Sequence, residues 1–542
     1  MRRSNRMALS AAVLSVGIAW SPAVSGQVNE LASQSTEGVL GNQDTYFSVI
    51  SGDGGRVAFQ SPASNLVPND FNGRHDIFVR DFHRGVTELV SVNTSGNSGN
   101  DLSLEPAISG NGRFVVFQSN ASDLVPNDRN GTWDIFVRDL DSGVTERVSL
   151  TSTGGEANDR SDSPDISPNG RFVVFHSRAA LVPEDTNGAY DIYRLDRQSG
   201  SLVRVSVDSN GLQANGGSIW PEVSDDGRFV VFQSDATNLV TPDTNGWGDV
   251  FVKDLQSGTI IRCNQSTAGV QSNGETTWPS ISGDGSIITF CTRGGTLVPG
   301  DTNNNWDAFA HDRVTRETVR INVQPNGSQA DSYVRSPTAL TTDGRLVAFA
   351  SLSTNLVPDD TNGYQDIFVR DLVSETTIRI NFGYERDEAD DDSFVPSIAD
   401  DGRFVTFTSD ASNLTPIDTN GRQDIFRVDL EAGALFTQDR LERGQLAEFR
   451  VFSLTPGDEV YFGYSLNGIG DGRCFGALGG LCLDLLNPIE VFAFSRAGAD
   501  GVATASRTVP SNASITLIHT QAVIDRGADS FKTNSTSAPV IP

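Results

Sequence analysis

Short apolar runs separated by turn residues repeat along most of this chain. An apolar run such as Arg113–Gln118 follows an Asn-Gly or Asp-Gly pair, and a second run with the sequence DIFVRD follows at Asp134–Asp139. Asn-Gly and Asp-Gly pairs between apolar runs indicate hairpins, because the turns that join such strands need positive φ. The pattern therefore predicts an all-β fold.

The pattern has a long period with seven copies. Each copy contains four strand signals, which in the second copy are Ala107–Ser109, Arg113–Gln118, Asp134–Asp139 and Thr145–Leu150. Four antiparallel strands repeated at this spacing form a propeller blade, and blades must pack in a ring to bury their faces. We therefore predict a seven-bladed β-propeller. The first-turn glycines that mark the copies are Gly54, Gly112, Gly170, Gly227, Gly285, Gly344 and Gly402.

Two features predict how the ring is held together. One aromatic residue recurs on the second and third strand of every copy, as at Phe117 and Phe136, which predicts an inter-blade core rather than a ligand platform. The segment from Val28 resembles the fourth-strand segment from Val86 and has no first three strands before it. We therefore expect Glu30–Ser35 to complete blade seven and to close the ring, which removes an exposed edge.

The remaining segments have different patterns. Residues 1–26 combine Arg2, Arg3 and Arg6 with an apolar run and small residues, as a secretory signal peptide does. The propeller is assigned to residues 27–435. Alternating runs between turn residues predict an antiparallel β-sandwich over 436–530, and residues 531–542 have the composition of a disordered tail. The sequence thus predicts a protein that is secreted or periplasmic.

Charge narrows the classes of partner. The formal net charge is −29, which disfavours binding to nucleic-acid phosphates or to anionic membrane surfaces. It favours a cation or a neutral or basic ligand. No segment after the signal peptide is apolar enough for membrane insertion. We expect a monomer whose partner is a protein or a polysaccharide.

The four cysteines fall into two groups. Cys474 and Cys482 flank a Gly-rich loop, and an oxidising compartment would favour a local disulfide between them. Cys263 and Cys291 lie on predicted strands of neighbouring blades, where either a bridge or two buried free thiols would fit.

The motif Asp-x-Asn-Gly-x-x-Asp recurs between the second and third strands, with Asn304 in place of glycine in the fifth copy. Oxygen-bearing side chains at alternate positions around a turn are typical of calcium loops, although this loop is shorter than the full type. Alternatively, the same side chains cap backbone N–H groups as Asx-turns do. The copies are Asp70/Asn72/Asp76, Asp128/Asn130/Asp134, Asp185/Asn187/Asp191, Asp243/Asn245/Asp249, Asp301/Asn303/Asp307, Asp360/Asn362/Asp366 and Asp418/Asn420/Asp424.

Loop lengths assign a recognition face. In a four-stranded blade the second-to-third loop and the inter-blade loop lie on one face of the disc, and both are long here. Long loops on a rigid ring are where recognition usually takes place. Trp220 and Trp278 interrupt the repeat before the first-strand prolines of two adjacent blades, so they are candidates for lining a ligand site at the channel mouth.

The sequence lacks the common catalytic motifs of hydrolases. The sequence has no Gly-x-Ser-x-Gly elbow and no His-Glu-x-x-His, so neither a serine hydrolase nor a zinc hydrolase is predicted. The sequence favours a recognition scaffold over an enzyme. Two alternatives stay open, namely a glycan hydrolase or lyase with acidic residues at the channel mouth, and a structural cell-surface protein. A convergent carboxylate pair in the channel would favour the hydrolase or lyase.

The repeat "PxISxDGRxVxFxS…DIFVxDLxSG" resembles the WD40-like propeller repeats of the TolB and tricorn-type families. The resemblance covers roughly residues 27–435 and implies a propeller fold. TolB is a periplasmic six-bladed protein that binds partner proteins. This chain departs from it in having seven blades and no sign of the TolB N-terminal domain, so the resemblance carries over the fold and not the partners.

Overall fold

A computed structural model describes residues 28–430 of the chain, except Pro325, Arg335, Asp359, Glu385 and Arg386, together with the backbone of short strands between residues 436 and 541. All the regular structure in these residues is β-strand, and no helix occurs in them. In the part of the chain that the structure describes, no helix is therefore long and apolar enough to cross a membrane. The predicted signal peptide lies outside the described residues.

Residues 28–430 form seven four-stranded antiparallel sheets, which confirms the seven-bladed propeller. Blade 1 consists of β2 (Tyr46–Ile50), β3 (Arg56–Ser61), β4 (Asp76–Asp81) and β5 (Val86–Leu89). Blade 2 consists of β6 (Ser103–Ile108), β7 (Phe114–Ser119), β8 (Asp134–Asp139) and β9 (Val144–Arg147). Blade 3 consists of β10 (Ser161–Ile166), β11 (Phe172–Ser177), β12 (Asp191–Asp196) and β13 (Ser201–Arg204). Blades 4 and 5 are β14 (Ser218–Val223), β15 (Phe229–Ser234), β16 (Asp249–Asp254), β17 (Ile260–Arg262); and β18 (Thr276–Ile281), β19 (Ile287–Thr292), β20 (Asp307–Asp312), β21 (Thr318–Arg320). Blade 6 is β22 (Ala339–Leu340), β23 (Leu346–Ser351), β24 (Asp366–Asp371), β25 (Thr376–Arg379), and blade 7 is β26 (Ser393–Ile398), β27 (Phe404–Ser409), β28 (Asp424–Asp429) and β1 (Val28–Leu31).

The innermost strands differ from the predicted ones. The first strand of blade 2 begins at Ser103, well before the predicted Ala107, and its pairing with β7 shifts register between Leu104 and Ala107. Glu105 lies in this bulge with φ of 50°. Pro106 follows it and has no N–H for the ladder, so the bulge accommodates a residue that a regular central strand would not.

The N-terminal strand closes the ring as the sequence predicted. β1 pairs antiparallel with β28, with Leu31 opposite Phe426. The strand covers Val28–Leu31 rather than the expected Glu30–Ser35, because the chain turns after Ala32 into a tight loop closed by a bridge between Gln34 and Leu40. Six further inter-blade loops have the same bridged turn.

The core between blades is aromatic, as expected. In every blade the aromatic residue of the second strand faces that of the third, with ring centroids 5.6 to 6.1 Å apart. Phe117 and Phe136 are a representative pair and are fully buried. Cys263 and Cys291 are also buried and unpaired, which settles the choice between a bridge and free thiols.

The C-terminal segment is described by its strand backbones. These strands are β29 (Phe436–Gln438), β30 (Leu441–Glu442), β31 (Leu446–Val451), β32 (Glu459–Ser465), β33 (Cys474–Phe475), β34 (Leu481–Cys482), β35 (Ile489–Arg496), β36 (Ala503–Thr508), β37 (Leu517–Asp525), β38 (Phe531–Lys532) and β39 (Thr536–Ile541). β33 pairs with β34 so that Cys474 lies opposite Cys482, and the disulfide between them stays a prediction. β38 and β39 fall in the segment expected to be a disordered tail, and the β-sandwich assignment also stays a prediction.

Candidate recognition face

The propeller has two unlike faces. The loop-rich face carries the second-to-third loops and the inter-blade loops, because each second strand ends there opposite the start of the third, as Ser119 does opposite Asp134. The short-turn face carries the first-to-second and third-to-fourth turns. The innermost strands of neighbouring blades contact one another around the axial channel.

The first turns of the blades crowd together near the axis on the short-turn face. The first turns of neighbouring blades hydrogen-bond to each other around the axis, as when Gly52 N–H donates to the Gly110 carbonyl at 2.9 Å. A Cβ on Gly110 would meet Pro168 at 2.7 Å and an Asp400 carboxylate oxygen at 3.2 Å, so blades 2, 3 and 7 converge there. These contacts narrow the axial channel at the short-turn face.

Exposed aromatic side chains are confined to one face. Of the described aromatic residues, the six that are at least 37% exposed all lie in the loops or at the strand ends of the loop-rich face. The short-turn face instead exposes aliphatic side chains such as Val144 and Val373. Because large exposed aromatics concentrated on one face mark an interaction surface, this asymmetry identifies the loop-rich face as the candidate site. The six residues are Tyr46, Phe71, Trp220, Trp247, Tyr364 and Tyr384.

Three indole rings line one side of the channel mouth and form what we call the tryptophan cluster. The ring centroid of Trp278 lies 6.4 Å from that of Trp220 and 5.9 Å from that of Trp306. Trp220 is 37% exposed, whereas Trp306 is buried. The structure thus brings together the two sequence candidates. Trp306 was missed, although the residue before the third-strand Asp is also aromatic or His at His75, Trp133 and Tyr190.

A carboxylate pair lies in the channel wall. Asp165 on β10 accepts a hydrogen bond from the Val223 N–H at 2.9 Å, and Glu222 on β14 accepts one from the Ile281 N–H at 3.2 Å. Both side chains stay partly exposed. Burial raises the pKa of both groups, and the charge of Asp165 raises that of Glu222 further. Both carboxyls are therefore protonated more readily than exposed ones are.

The asparagine of each Asp-x-Asn-Gly-x-x-Asp loop forms an Asx-turn. In all seven loops its carboxamide oxygen accepts a hydrogen bond from the backbone N–H two residues further on, as the Asn72 oxygen does from the Arg74 N–H at 2.6 Å. The other six asparagines are Asn130, Asn187, Asn245, Asn303, Asn362 and Asn420. These contacts fit the capping interpretation, and the role of the asparagines as calcium ligands stays a prediction.

The asparagine amide groups also tie the loops to their neighbours. In six of the seven loops, the amide donates both to the second aspartate and to a backbone carbonyl of the adjoining inter-blade loop. In blade 1, Asn72 reaches Asp76 at 2.6 Å and the Gly99 carbonyl at 2.8 Å. These contacts support the capping interpretation of the motif.

An arginine from the fourth strand lies beside both aspartates in blades 2 to 6. In blade 2 the Arg147 guanidinium is 2.8 Å from Asp128 and 3.2 Å from Asp134. Its nitrogen therefore lies close to both carboxylates that calcium was predicted to bind and would compete with a metal ion there, so calcium binding in these five blades stays an untested prediction. The sequence of the loop alone could not show this, because the cation comes from another strand. The other four arginines are Arg204, Arg262, Arg320 and Arg379.

Blades 1 and 7 lack this arginine. Leu89 lies opposite Phe78 and Leu31 opposite Phe426, in the register that Arg147 has opposite Phe136. Burial and the facing carboxylate raise the pKa of Asp76 to about 7 in blade 1 and that of Asp418 to about 7 in blade 7. In these two blades a calcium site at the aspartates still stands as a prediction.

Comparison with known proteins shows remote likenesses. No family model matches the chain. An uncharacterised protein of Agrobacterium fabrum is 37% identical over 106 residues, a match that spans 20% of this chain and 30% of that protein. An oligogalacturonate lyase from Vibrio parahaemolyticus is 12% identical over 75% of this chain and 91% of its own, with a TM-score of 0.43. A TolB-type protein from Agrobacterium tumefaciens is 16% identical over 63% of this chain and 92% of its own, with a TM-score of 0.34.

These likenesses say nothing about activity at such identities. The strand order, the register and the sevenfold recurrence of the aromatic pairs are direct observations on this chain. Residues 28–430 are therefore a seven-bladed β-propeller whose repeats are similar to those of TolB-like and WD40-like proteins.

Proposed function

We propose that this protein is an exported recognition scaffold that binds a polysaccharide on its loop-rich face. The observation that carries the proposal is that the six exposed aromatic residues of the described propeller all lie on that face. The predicted signal peptide supports action in the periplasm or outside the cell.

The chemistry of the face favours a sugar polymer over a protein partner. Aromatic faces offer flat apolar surface to the C–H groups of a sugar ring, and nearby carboxylates and amides can hydrogen-bond to its hydroxyls. The loops that carry these aromatics are otherwise rich in Asp, Asn, Ser and Thr, whereas a protein-binding patch usually has a contiguous apolar centre. A net charge of −29 disfavours a polyanionic glycan.

Binding should depend on the tryptophan cluster. We expect Trp220→Ala to weaken binding to a neutral or cationic polysaccharide at least about tenfold, because truncation of a tryptophan at the centre of a binding site commonly costs about 2 kcal/mol or more. The measurement is affinity electrophoresis or calorimetry with soluble glucan, xylan, chitosan and polygalacturonate, of which polygalacturonate should bind least.

The control is Val373→Ala on the short-turn face. Val373 is 75% exposed in the third-to-fourth turn of blade 6, on the face opposite the tryptophan cluster, so this change should alter affinity less than about twofold. Equal losses in both variants, or unaltered binding in Trp220→Ala, would contradict the assignment of the channel mouth as the binding site.

One observation favours catalysis on the bound glycan as a second candidate function. Asp165 and Glu222 are carboxyl groups of neighbouring blades, and burial together with the charge of Asp165 holds the pKa of Glu222 above its ordinary value. A protonated and an ionised carboxylate together can act as general acid and general base on a glycosidic bond.

A substitution that keeps the shape of the side chain tests this candidate. If the pair is catalytic, the wild-type protein should release new reducing ends or unsaturated products from the bound glycan, and Glu222→Gln should lower the rate at least about a hundredfold. Wild-type protein that binds glycan without releasing product would limit the function to recognition, with Asp165 and Glu222 serving as inter-blade backbone caps.

A further inference from the structure

The seven equivalent loops provide an internal comparison of buried aspartate pairs. In blades 2 to 6 both aspartates lie within 4.0 Å of an arginine nitrogen. In blade 1 the same position of the fourth strand holds Leu89. Asp70 is 5% exposed and Asp76 is fully buried, so the two carboxylates are as deeply placed as those of the other blades but without their cation.

Asp70 is the group without a partner. Both of its carboxylate oxygens are buried, and neither makes a hydrogen bond of normal geometry. The Asn72 N–H and the Ser98 hydroxyl are the donors nearest to it. Asp76 differs, because the Ser91 hydroxyl donates to one of its oxygens at 2.5 Å and the Asn72 amide to the other at 2.6 Å. A buried carboxylate with no donor is costly unless a cation or a proton accompanies it.

Blade 1 also differs from blades 2 to 6 in the residue of the inter-blade loop that lies beside the two aspartates. The bridged turn of the inter-blade loop carries Glu156, Gln213, Gln271, Gln329 and Glu388 in blades 2 to 6, and Ser98 in blade 1. Ser98 is buried, and its hydroxyl oxygen already accepts the Phe71 N–H at 3.0 Å. Serine is shorter than these side chains, four of which reach the arginine, as Glu156 reaches Arg147 at 2.9 Å.

We infer that the loop of blade 1 binds one divalent cation of the calcium type between Asp70 and Asp76, in place of the arginine of blades 2 to 6. The oxygens available are the two of Asp70, the Asp76 oxygen on the Asn72 side and the Ser98 hydroxyl, with water completing the shell. Calcium accepts 6–8 oxygens in flexible geometry, whereas magnesium requires near-ideal octahedral coordination. Calcium is therefore the better fit to an irregular loop.

The neighbouring blade 7 provides a matched control. It shares the leucine at the arginine position, Leu31, but the bridged turn there places Leu40 where blade 1 has Ser98. A leucine side chain offers no oxygen to a metal. Asp418 of blade 7 is therefore the equivalent of Asp70 without the hydroxyl ligand.

The test is equilibrium dialysis of the full chain against radioactive calcium at pH 7.5. We expect one saturable site with a dissociation constant of roughly 0.1–1 mM, as for extracellular sites with few charged ligands, and weaker competition by magnesium. Asp70→Asn should lower the affinity at least about tenfold, whereas Asp418→Asn should leave it within about twofold.

A second variant restores the arginine. Leu89→Arg should abolish calcium binding while it keeps or raises the melting temperature in EDTA, because the guanidinium supplies the missing charge. The inference is overturned if wild-type protein binds no calcium in this range, or if binding survives both Asp70→Asn and Leu89→Arg. If the wild-type protein binds no calcium, a proton shared between Asp70 and Asp76 neutralises the pair instead.

Discussion

Removing residues 28–36 will lower the melting temperature by roughly 6 °C or more, which is the largest effect of any short deletion that we expect in this chain. β1 is the outermost strand of blade 7. Its residue Leu31 and the following Ala32 are buried in the propeller core. Ladder hydrogen bonds at about 1 kcal/mol each and a buried leucine at about 2–3 kcal/mol together contribute roughly 5 kcal/mol. Loss of the strand also exposes an edge, which favours aggregation.

Scanning calorimetry of the deletion variant measures this effect, and a pair of point variants separates packing from chain length. Leu31→Ala should lower the stability by about 2–5 kcal/mol, because Leu31 is 2% exposed. Val39→Ala, in the same segment at 54% exposure, should change it by less than about 0.5 kcal/mol. A deletion variant that melts like the wild type would show that β1 does not close the ring.

Arg147→Leu should destabilise the propeller by about 3–5 kcal/mol at neutral pH, since it leaves a buried carboxylate pair without its cation. The arginine side chain is 8% exposed, and those of Asp128 and Asp134 are 4% and 0% exposed. Burial already holds the pKa of both carboxyls above the ordinary value, and removal of the guanidinium, which lowers both, will raise them further. A raised folded pKa gives stability that is present at low pH and lost as pH rises through it, so the deficit should be small near pH 4 and full above pH 7.

Arg113→Leu on the short-turn face is the matched control. Arg113 makes two hydrogen bonds to Asp139, at 2.9 and 2.7 Å, but its side chain is 44% exposed. An exposed ion pair contributes about 1 kcal/mol or less, so this variant should lose far less stability in urea denaturation at pH 7. Equal losses from Arg113→Leu and Arg147→Leu would mean that the buried arginines are not the counter-ions of the loop aspartates.

The sequence by itself determined the number of blades, the order of strands and the aromatic core. These features depend on local signals that recur in register, such as the positive-φ Gly112 of the first turn and the DIFVRD strand at Asp134–Asp139. Each blade repeats the same local preference, so seven copies reinforce one interpretation. The N-terminal closure was also predictable, because Val28 begins a fourth-strand pattern that lacks its own blade.

Only the tertiary structure decided the chemistry of the site. Trp220, Trp278 and Trp306 come from different blades or strands, and Asp165 and Glu222 lie one repeat apart, so sequence spacing could not show that they meet. The Asp-x-Asn-Gly-x-x-Asp loop likewise fits calcium binding and capping equally well as a motif. Whether a cation is needed depends on the residue that the fourth strand brings beside it, which is Arg147 in blade 2 and Leu89 in blade 1. Electrostatic balance in a buried site is a property of all the neighbours that packing assembles, and a local pattern contains only some of them.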